Sequence, residues 1–586
     1  MKISFTADGI MRITYLSRLS RLNSMDDRVG KVWFIAFESK GVYKVGGLGE
    51  VAGSMTKALA SKNLKVALIM PSHGVAKDEA IRKRLGLSEI HVFKFEALGK
   101  NYEITIHKGL LDGVELYIVS GASGEAENIL ENPVVYADGI TEPKAALLAR
   151  TMNVLYEVAE WKPDVVHIND WHAVPSGIAL KLYSVEKRLR IPLLFQIHLY
   201  CGKWVDKKYL SDFCGLDMET KLEISLDGEA EKYTLERLYA LSGGILERLA
   251  AYISDIVATV SESYLRKDEN NILQNIGFQF EKKSTYIYNG CDWRLEEIMN
   301  DISKRHGEEI EEYLGVKVER ADRKLLRKYL LEKALGELPE NEPIIKDEYL
   351  AELIKELKGS IVNSAGKPLP FRNDGPLIIT TGRTSVQKGL DVLMKAVPRV
   401  LKVYPKAKFL FLLLPVRGGE SLMKELFDEA CQYPENVRII YGITPSIYNL
   451  AHVAATLYAA PSRWEPFGIM ALESMAVGTP VVASRVGGLS ETILDLREYG
   501  AEGTGLLVLK DSVENLAEAI ISLISLMEEE RANKILYEEL KNLAYVGISE
   551  RIRGNCIKRV EESFRWIKVA DMAINAYNNA LLKAKG

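Results

Sequence analysis

At 586 residues the chain exceeds what one hydrophobic core supports, so two large domains with room for an extra helical insertion are expected. Apolar residues at 47% and charged residues at 27% are ordinary for a soluble enzyme, while a net charge of −4 and a pI near 6.2 give no electrostatic case for nucleic acid or an anionic membrane. No apolar run is long enough to span a bilayer. Cys201, Cys214, Cys291, Cys431 and Cys556 are scattered, odd in number and without Cys-x-x-Cys spacing, which points to a reducing cytoplasm and away from a zinc site. Sparse glutamine beside abundant Lys and Glu is the bias of heat-adapted proteins.

Residues 1–30 carry basic side chains and an apolar run too short for a signal-peptide core, and they read as a loose extension without function. The first strand is Val32 to Phe37. It leads through Glu38 to Lys44-Val45-Gly46-Gly47-Leu48-Gly49-Glu50, after which Leu48, Val51, Met55 and Leu59 keep helical spacing until Val66 to Met70 returns as a strand. Such a crossover is right-handed and sets the glycine turn at the carboxyl edge of a parallel sheet. The Walker lysine and Ser/Thr are missing, so this is no P-loop, and a tight turn alone would explain the glycines. Lys44 beside them adds a cation that, together with helix-end N–H groups, suits a pyrophosphate.

In Asp164 to His172 the strand Val165 to Ile168 runs into an abrupt polar cluster, Asn169-Asp170-Trp171-His172. His167 and His172 lack the fixed spacing of a metal site, and no metal is expected. Leu193 to His198 repeats the pattern, a buried strand ending on a histidine. Ser261 and Arg383 close two further strands, so one sheet edge after another collects the reactive groups. After the turn Asn289-Gly290-Cys291-Asp292, residues 294–375 are rich in Lys and Glu. They contain ERADRKLLRKYLLEKALGEL, a long amphipathic pattern, and are expected to form a helical subdomain with a mobile tail.

A second sheet starts at Leu377. In Thr381 to Asp391, Arg383 offers a fixed fork and Lys388 a movable point charge, both suited to phosphate; taken alone, both would cap a helix or pair with surface carboxylates. Strands follow at Lys408 to Leu414, Val437 to Tyr441 and Ala454 to Ala460. Pro461 to Ile493, PSRWEPFGIMALESMAVGTPVVASRVGGLSETI, then organises a β-α-β unit. Glu465 and Glu473 flank the start of its helix as acceptor-only groups suited to sugar and ribose hydroxyls. The Gly487-Gly488 turn is expected to leave free N–H groups for phosphate. The last helix buries a stripe of Phe564, Trp566, Val569, Ala570, Ala573, Tyr577 and Leu581.

Glu-Pro-Phe-Gly with a glutamate eight positions after the first, then Gly-Thr-Pro-Val-Val and Gly-Gly-Leu, resembles the donor-site signature of the glycogen and starch synthase family. Lys44 to Leu48 resembles its Lys-Thr-Gly-Gly-Leu loop with Val45 for threonine. His167 to His172 is similar to its His-x-His-Asp-Trp-His, with Asn169 for the middle histidine. Asn289 to Asp292 resembles its Asn-Gly-Ile-Asp turn, and Ile443 stands near where bacterial relatives often carry a base-stacking aromatic.

The resemblance covers residues 31 to about 577 and implies an α/β protein of two facing Rossmann-like domains, the GT-B type, with a deep interdomain cleft. Its boundaries would be an extension 1–30, an acceptor-side domain 31–285, a nucleotide-sugar domain 286–560 holding the insertion, and a helix 561–586 crossing back to the first domain. It implies transfer of glucose from ADP-glucose or UDP-glucose to the non-reducing end of an α-1,4-glucan with retention, without a cofactor or metal. Catalytic roles fall to Glu465, Lys388, Arg383, His198 and Asp170, and donor binding to Lys44, Gly46, Gly47, Glu473, Gly487 and Gly488. The resemblance leaves the oligomeric state open. Rival readings are a synthase of the same fold using a small sugar acceptor, a pyridoxal-phosphate glucan phosphorylase, and a non-catalytic glucan-binding protein.

Overall fold

The computed structural model describes residues 2–5, 11–14, 28–226, 229–364 and 366–585. Most of the extension 1–30, and the expectation attached to it, lies outside the described residues. The chain divides into two compact units, one of Met1–Ala258, Asn275–Thr285 and Ala570–Gly586, the other of Thr259–Gln274 and Tyr286–Val569.

The first unit is built on a nine-stranded sheet of β1 (Lys31–Ile35), β2 (Lys65–Pro71), β3 (Ser88–Ala97), β4 (Lys100–Leu111), β5 (Val114–Ser123), β6 (Val165–Asn169), β7 (Leu193–Ile197), β8 (Ile256–Thr259) and β9 (Ser284–Tyr286). Their order across the sheet is β9-β8-β7-β6-β1-β2-β5-β4-β3. β1 is central and parallel to both neighbours, Ile35 pairing with Ile69 of β2 and Ile168 of β6. Its Val32-Trp33-Phe34-Ile35 run is wholly buried, as expected of a strand covered on both faces. The carboxyl ends of β1, β6 and β7 therefore meet on one edge.

The other side of this sheet departs from the sequence reading. β3, β4 and β5 form an antiparallel meander that the reading passed over. Its two turns are two-residue loops with both central residues at positive φ, Leu98-Gly99 (50° and 71°) and Asp112-Gly113 (51° and 81°). This is the geometry whose twist matches paired strands, and Asp-Gly is its strongest sequence signal.

The second unit has a six-stranded sheet of β10 (Leu377–Arg383), β11 (Lys408–Leu414), β12 (Val437–Tyr441), β13 (Leu457–Ala460), β14 (Val481–Ser484) and β15 (Gly505–Val508), ordered β12-β11-β10-β13-β14-β15. All its pairings are parallel. The chain first builds outward from β10 on one side and then from β13 on the other, so a topological switch point lies between β10 and β13.

The long helical pattern of the insertion is broken. A helix spans Leu295–Leu314, and a second spans only Arg323–Glu332, where the Asp322 side chain accepts from the Leu325 N–H and so fixes its start. The expected mobile tail is packed instead. Ile344 exchanges both backbone hydrogen bonds with Ile443, Ile361 and Phe371 are buried, and the Arg438 guanidinium lies 4.3 Å from the centre of the Phe371 ring. In the last helix, Trp566–Lys585, Trp566, Val569, Ala573 and Tyr577 are buried; Phe564 precedes the helix and Leu581 is only half-buried.

Candidate active site

In the second unit β10 ends on Arg383, whose side chain is exposed, and the chain turns through Val386–Lys388 into the helix Leu390–Val403. Gly389 makes that turn possible. Its φ is 61°, and a Cβ there would stand 2.0 Å from the carbonyl oxygen of Pro461. The close approach carries Lys388 to the end of β13, where its Nζ lies 2.5 Å from Glu465 Oε2. Both side chains are buried, the residues being 7% and 8% exposed. Taking two charges out of water is costly unless they pair, so this pair is held by mutual need. Thr380, Thr381, Tyr458 and Ser462 line the same pocket, which opens at the switch point.

The loop bearing Glu465 is fixed from several sides. Gln387 donates to the Trp464 carbonyl, and the Arg463 fork sits on Asp391 with two 2.8 Å bonds. The helix opens at Ile469 after Gly468, whose φ is 95°, so Glu473 sits inside the helix and not at its start. Glu473 Oε2 accepts from the hydroxyl of the half-buried Tyr448 at 3.0 Å. The Gly487-Gly488 turn does not offer the free amides expected of it. Gly488 N–H donates to the Glu465 carbonyl at 3.1 Å and Gly487 N–H to Asp268 Oδ1 at 3.3 Å. Close approach is what these glycines provide: a Cβ on Gly487 would stand 1.8 Å from Glu465 O, and one on Gly488 2.4 Å from Phe467 Cα.

The first unit's glycine turn corrects the reading in the same way. Val45 N–H and Gly46 N–H both donate to Glu38 Oε2 at 2.6 Å, so a carboxylate already occupies the anion seat. Glu38 is 1% exposed, and Tyr136 donates to its other oxygen at 2.9 Å. Lys44 is paired with Glu50 at 2.6 Å. Gly47 is the first residue of the helix Gly47–Ser61, and a Cβ on it would meet nothing within 4 Å. The sequence reading named Glu38 only as the start of a loop; its position at the end of a fully buried strand was the available signal.

Asp170 opens the helix Asp170–Glu186 at a φ of 56°, in the left-handed region where Asp is better tolerated than most residues. Its Oδ1 accepts the N–H groups of His198 at 2.7 Å and Leu199 at 3.2 Å, tying the end of β6 to the end of β7. Burial outweighs these bonds and pushes the Asp170 carboxyl up to about 7. Asn169 settles the state of His198. Its Nδ2 donates to the Ile35 carbonyl at 3.0 Å, so its Oδ1 faces His198 Nε2 at 2.9 Å and accepts a hydrogen bond from an Nε2–H. Nδ1 of His198 is then an unprotonated acceptor, buried and without a partner among the described residues. Enclosure lowers this imidazole to about 3, so the ring is neutral. An asparagine in place of the middle histidine thus orients the catalytic candidate, a role the sequence reading left open.

His167 is core: its Nδ1 lies 2.8 Å from the Tyr577 hydroxyl of the last helix. His172 stacks on Phe37 with ring centres 4.5 Å apart. Among the described residues no group of three or more His, Cys, Asp or Glu is arranged to hold a metal ion, and no helix is long and apolar enough to cross a membrane. The structure thus brings Lys388 and Glu465 together in one unit and Asp170, Asn169 and His198 in the other.

Comparison with known proteins gives two family matches, the starch synthase catalytic domain over residues 31–274 and the glycosyl transferases group 1 over residues 364–539. Among curated relatives, glycogen synthase of Hydrogenovibrio crunogenus is 25% identical over 511 residues, covering 85% of this chain and 93% of its own length. Glycogen synthase of Thermotoga petrophila is 27% identical over 510 residues, covering 84% and 90%. Among solved structures, the catalytic domain of starch synthase IV from Arabidopsis thaliana, bound to ADP and acarbose, superposes with a TM-score of 0.65 at 19% identity, covering 95% of this chain and all of that one. Its likeness supports a two-domain glycosyltransferase fold.

Proposed function

Since the chain belongs to the glycogen and starch synthase family, we propose that it transfers glucose from ADP-glucose or UDP-glucose to the non-reducing end of an α-1,4-glucan with retention of configuration. The observation that carries this reading is the buried Lys388–Glu465 pair at the switch point of the second sheet, on the edge where the exposed Arg383 also ends its strand. Breaking the anomeric C–O bond builds positive charge on the sugar and negative charge on the diphosphate, so stabilising the leaving group is the largest lever. Lys388 and Arg383 supply that charge, with Lys44 as a further cation. Glu465 takes glucose hydroxyls and holds Lys388 in place, Glu473 takes the ribose, and Gly487 and Gly488 keep the Glu465 backbone in position. Gly46 and Gly47 shape the first unit's turn toward the donor.

His198, neutral and with its Nδ1 lone pair open, accepts from a sugar hydroxyl, and Asp170 fixes the loop that presents it. Transfer occurs on the front face, the donor phosphate helping to remove the acceptor proton; a glucosyl adduct trapped on any carboxylate would overturn this. With cationic side chains in that role no metal is needed, and EDTA should leave turnover unchanged. Among the described residues no disulfide joins the cysteines, which suits a reducing cytoplasm.

The test is incubation with glycogen and either nucleotide sugar, following released nucleoside diphosphate and glucan extension together. Extension names the donor and supports the reading. Diphosphate release only when a small free sugar replaces glycogen would overturn the glucan acceptor and leave a disaccharide-forming synthase.

A further inference from the structure

The loop that follows β7 is pinned more firmly than a surface loop requires. The Asp170 carboxylate holds its first two amides, and the buried Glu247 carboxylate holds the next three available, accepting from Cys201 N–H at 3.0 Å, Gly202 N–H at 2.9 Å and Lys203 N–H at 2.9 Å. Immediately after this double cap comes Trp204, 60% exposed.

Its backbone is tied down as well. Trp204 bridges Ile245, Val205 N–H donates to the Gly244 carbonyl at 3.0 Å, and Leu246 N–H donates to the Lys203 carbonyl at 2.9 Å. One side of the indole lies against bare backbone. Gly244 has a φ of 74°, and a Cβ there would stand 2.8 Å from Trp204 Nε1 and 3.0 Å from Cδ1. The Tyr239 hydroxyl, which donates to the Val205 carbonyl at 2.9 Å, closes the support. A rigid backbone, a supported ring and an exposed face together describe a prepared apolar surface with no core partner among the described residues.

We propose that the exposed face of Trp204 is a platform for the acceptor, stacking on the C–H face of a glucose unit some way along the chain from the reacting end. The proposal rests on the glucan-acceptor reading above. A pyranose ring presents an apolar face bordered by hydroxyls, and a rigid tryptophan supplies a large apolar area at low entropic cost. Trp204 stands six positions after His198, so the two lie within about 20 Å of each other along the loop, the span of a few linked glucose units. The neighbouring Lys203 is ion-paired with Glu142 and sits 5.0 Å from the centre of the Trp171 ring, so its charge is already engaged and does not compete for the platform. The platform binds remote units and touches no reacting atom; it is a binding residue for long acceptors.

The experiment measures KM for glycogen in wild type, Trp204→Ala and Trp204→Phe, beside the fluorescence response to maltoheptaose. Trp204→Ala should raise KM for glycogen about tenfold, with a smaller change in kcat, and Trp204→Phe should recover most of it. Maltoheptaose should quench wild-type fluorescence, and that part of the response should vanish in Trp204→Phe, which keeps an aromatic support should the alanine variant fail to fold. A wild-type KM in both variants, or an unaltered quench in Trp204→Phe, overturns the platform. If the wild type extends no glucan with either donor, the function reading fails instead; maltoheptaose quenching through Trp204 would still stand as binding.

Discussion

The two units use carboxylates for opposite ends. In the first, Glu38, Asp170 and Glu247 each accept backbone N–H groups, and none of the three is ion-paired among the described residues; their work is to fold loops, and the histidine they frame is neutral. In the second, Glu465 meets a lysine and Asp391 an arginine, while the neighbouring turn is closed by one backbone carbonyl, that of Glu465, and by the Asp268 carboxylate. Around His198 the first unit is a preorganised neutral surface, and around Lys388 the second is an ionic one. A sugar needs the first, through directional hydrogen bonds, while a departing diphosphate needs the second, through charge.

Removing the ionic half should therefore do the most damage. Lys388→Ala is expected to lower turnover by about 10²–10³, with glucan binding far less affected. It also strands Glu465 as an unpaired buried carboxylate, so Lys388→Ala with Glu465→Gln should be more stable to heat than Lys388→Ala alone. Equal loss of turnover and of glucan binding would count against leaving-group stabilisation by this lysine.

Gly487→Ala probes the same half through its backbone. With φ at 46° and Glu465 O only 1.8 Å from the new Cβ, the Glu465 loop must move. A displacement near 1 Å costs about 10² in rate. Gly47→Ala in the first unit, where the Cβ meets open space, should lose less than about tenfold, and the contrast between the two would separate close approach from amide supply.

Those two glycine turns also mark how far the sequence could be read. Both were legible as strand-turn-helix junctions at a sheet edge, because apolar runs and glycines are local signals. That their amides were already taken was not legible, since the acceptors are side chains or carbonyls brought in by the fold, Asp268 standing 219 residues before Gly487. Glu38 was nearer, seven and eight residues from its donors, and its place after a fully buried strand was a signal the reading did not use. The antiparallel meander of β3 to β5 was legible in Asp112-Gly113 and was passed over because the parallel pattern dominated. The break in the insertion's helix lay in Asp322, a capping residue inside an unbroken amphipathic pattern. Lys388 and Glu465, 77 residues apart, were found by resemblance; their contact is a product of the fold.

In the neutral half, Asn169 is the sharpest point of attack. Asn169→Ala removes the acceptor that fixes the proton on His198 Nε2, letting the ring change tautomer and lose its Nδ1 lone pair toward the sugar. Turnover should fall about tenfold, within the range for losing one positioned hydrogen bond. Asn169→Asp should restore the acceptor while placing a charge beside the imidazole, so activity returns but its pH profile shifts upward as the histidine becomes easier to protonate. A flat response of the pH profile to Asn169→Asp would mean that the pair is packing only.

The last effect concerns Asp170 and appears in stability, not in turnover. Its folded carboxyl titrates at about 7, against about 3.9 in an unfolded chain. Because the folded value is raised, the contribution to stability is fully present below about pH 4 and is lost as pH rises through about 7, while the folded state holds a proton the unfolded state has released. Wild type should lose stability relative to Asp170→Asn across this window, by no more than about 1.4 kcal/mol per pH unit, and the difference should level off above it. Asparagine tolerates the φ of 56° and still offers an acceptor to the His198 and Leu199 amides, so the substitution changes the titration more than the geometry. Melting temperatures of the two proteins at pH 5, 6, 7 and 8 check it. Parallel curves would mean that the two backbone N–H bonds suffice to keep this carboxylate ionised, placing Asp170 with the charged groups of the second unit and blurring the contrast between the halves.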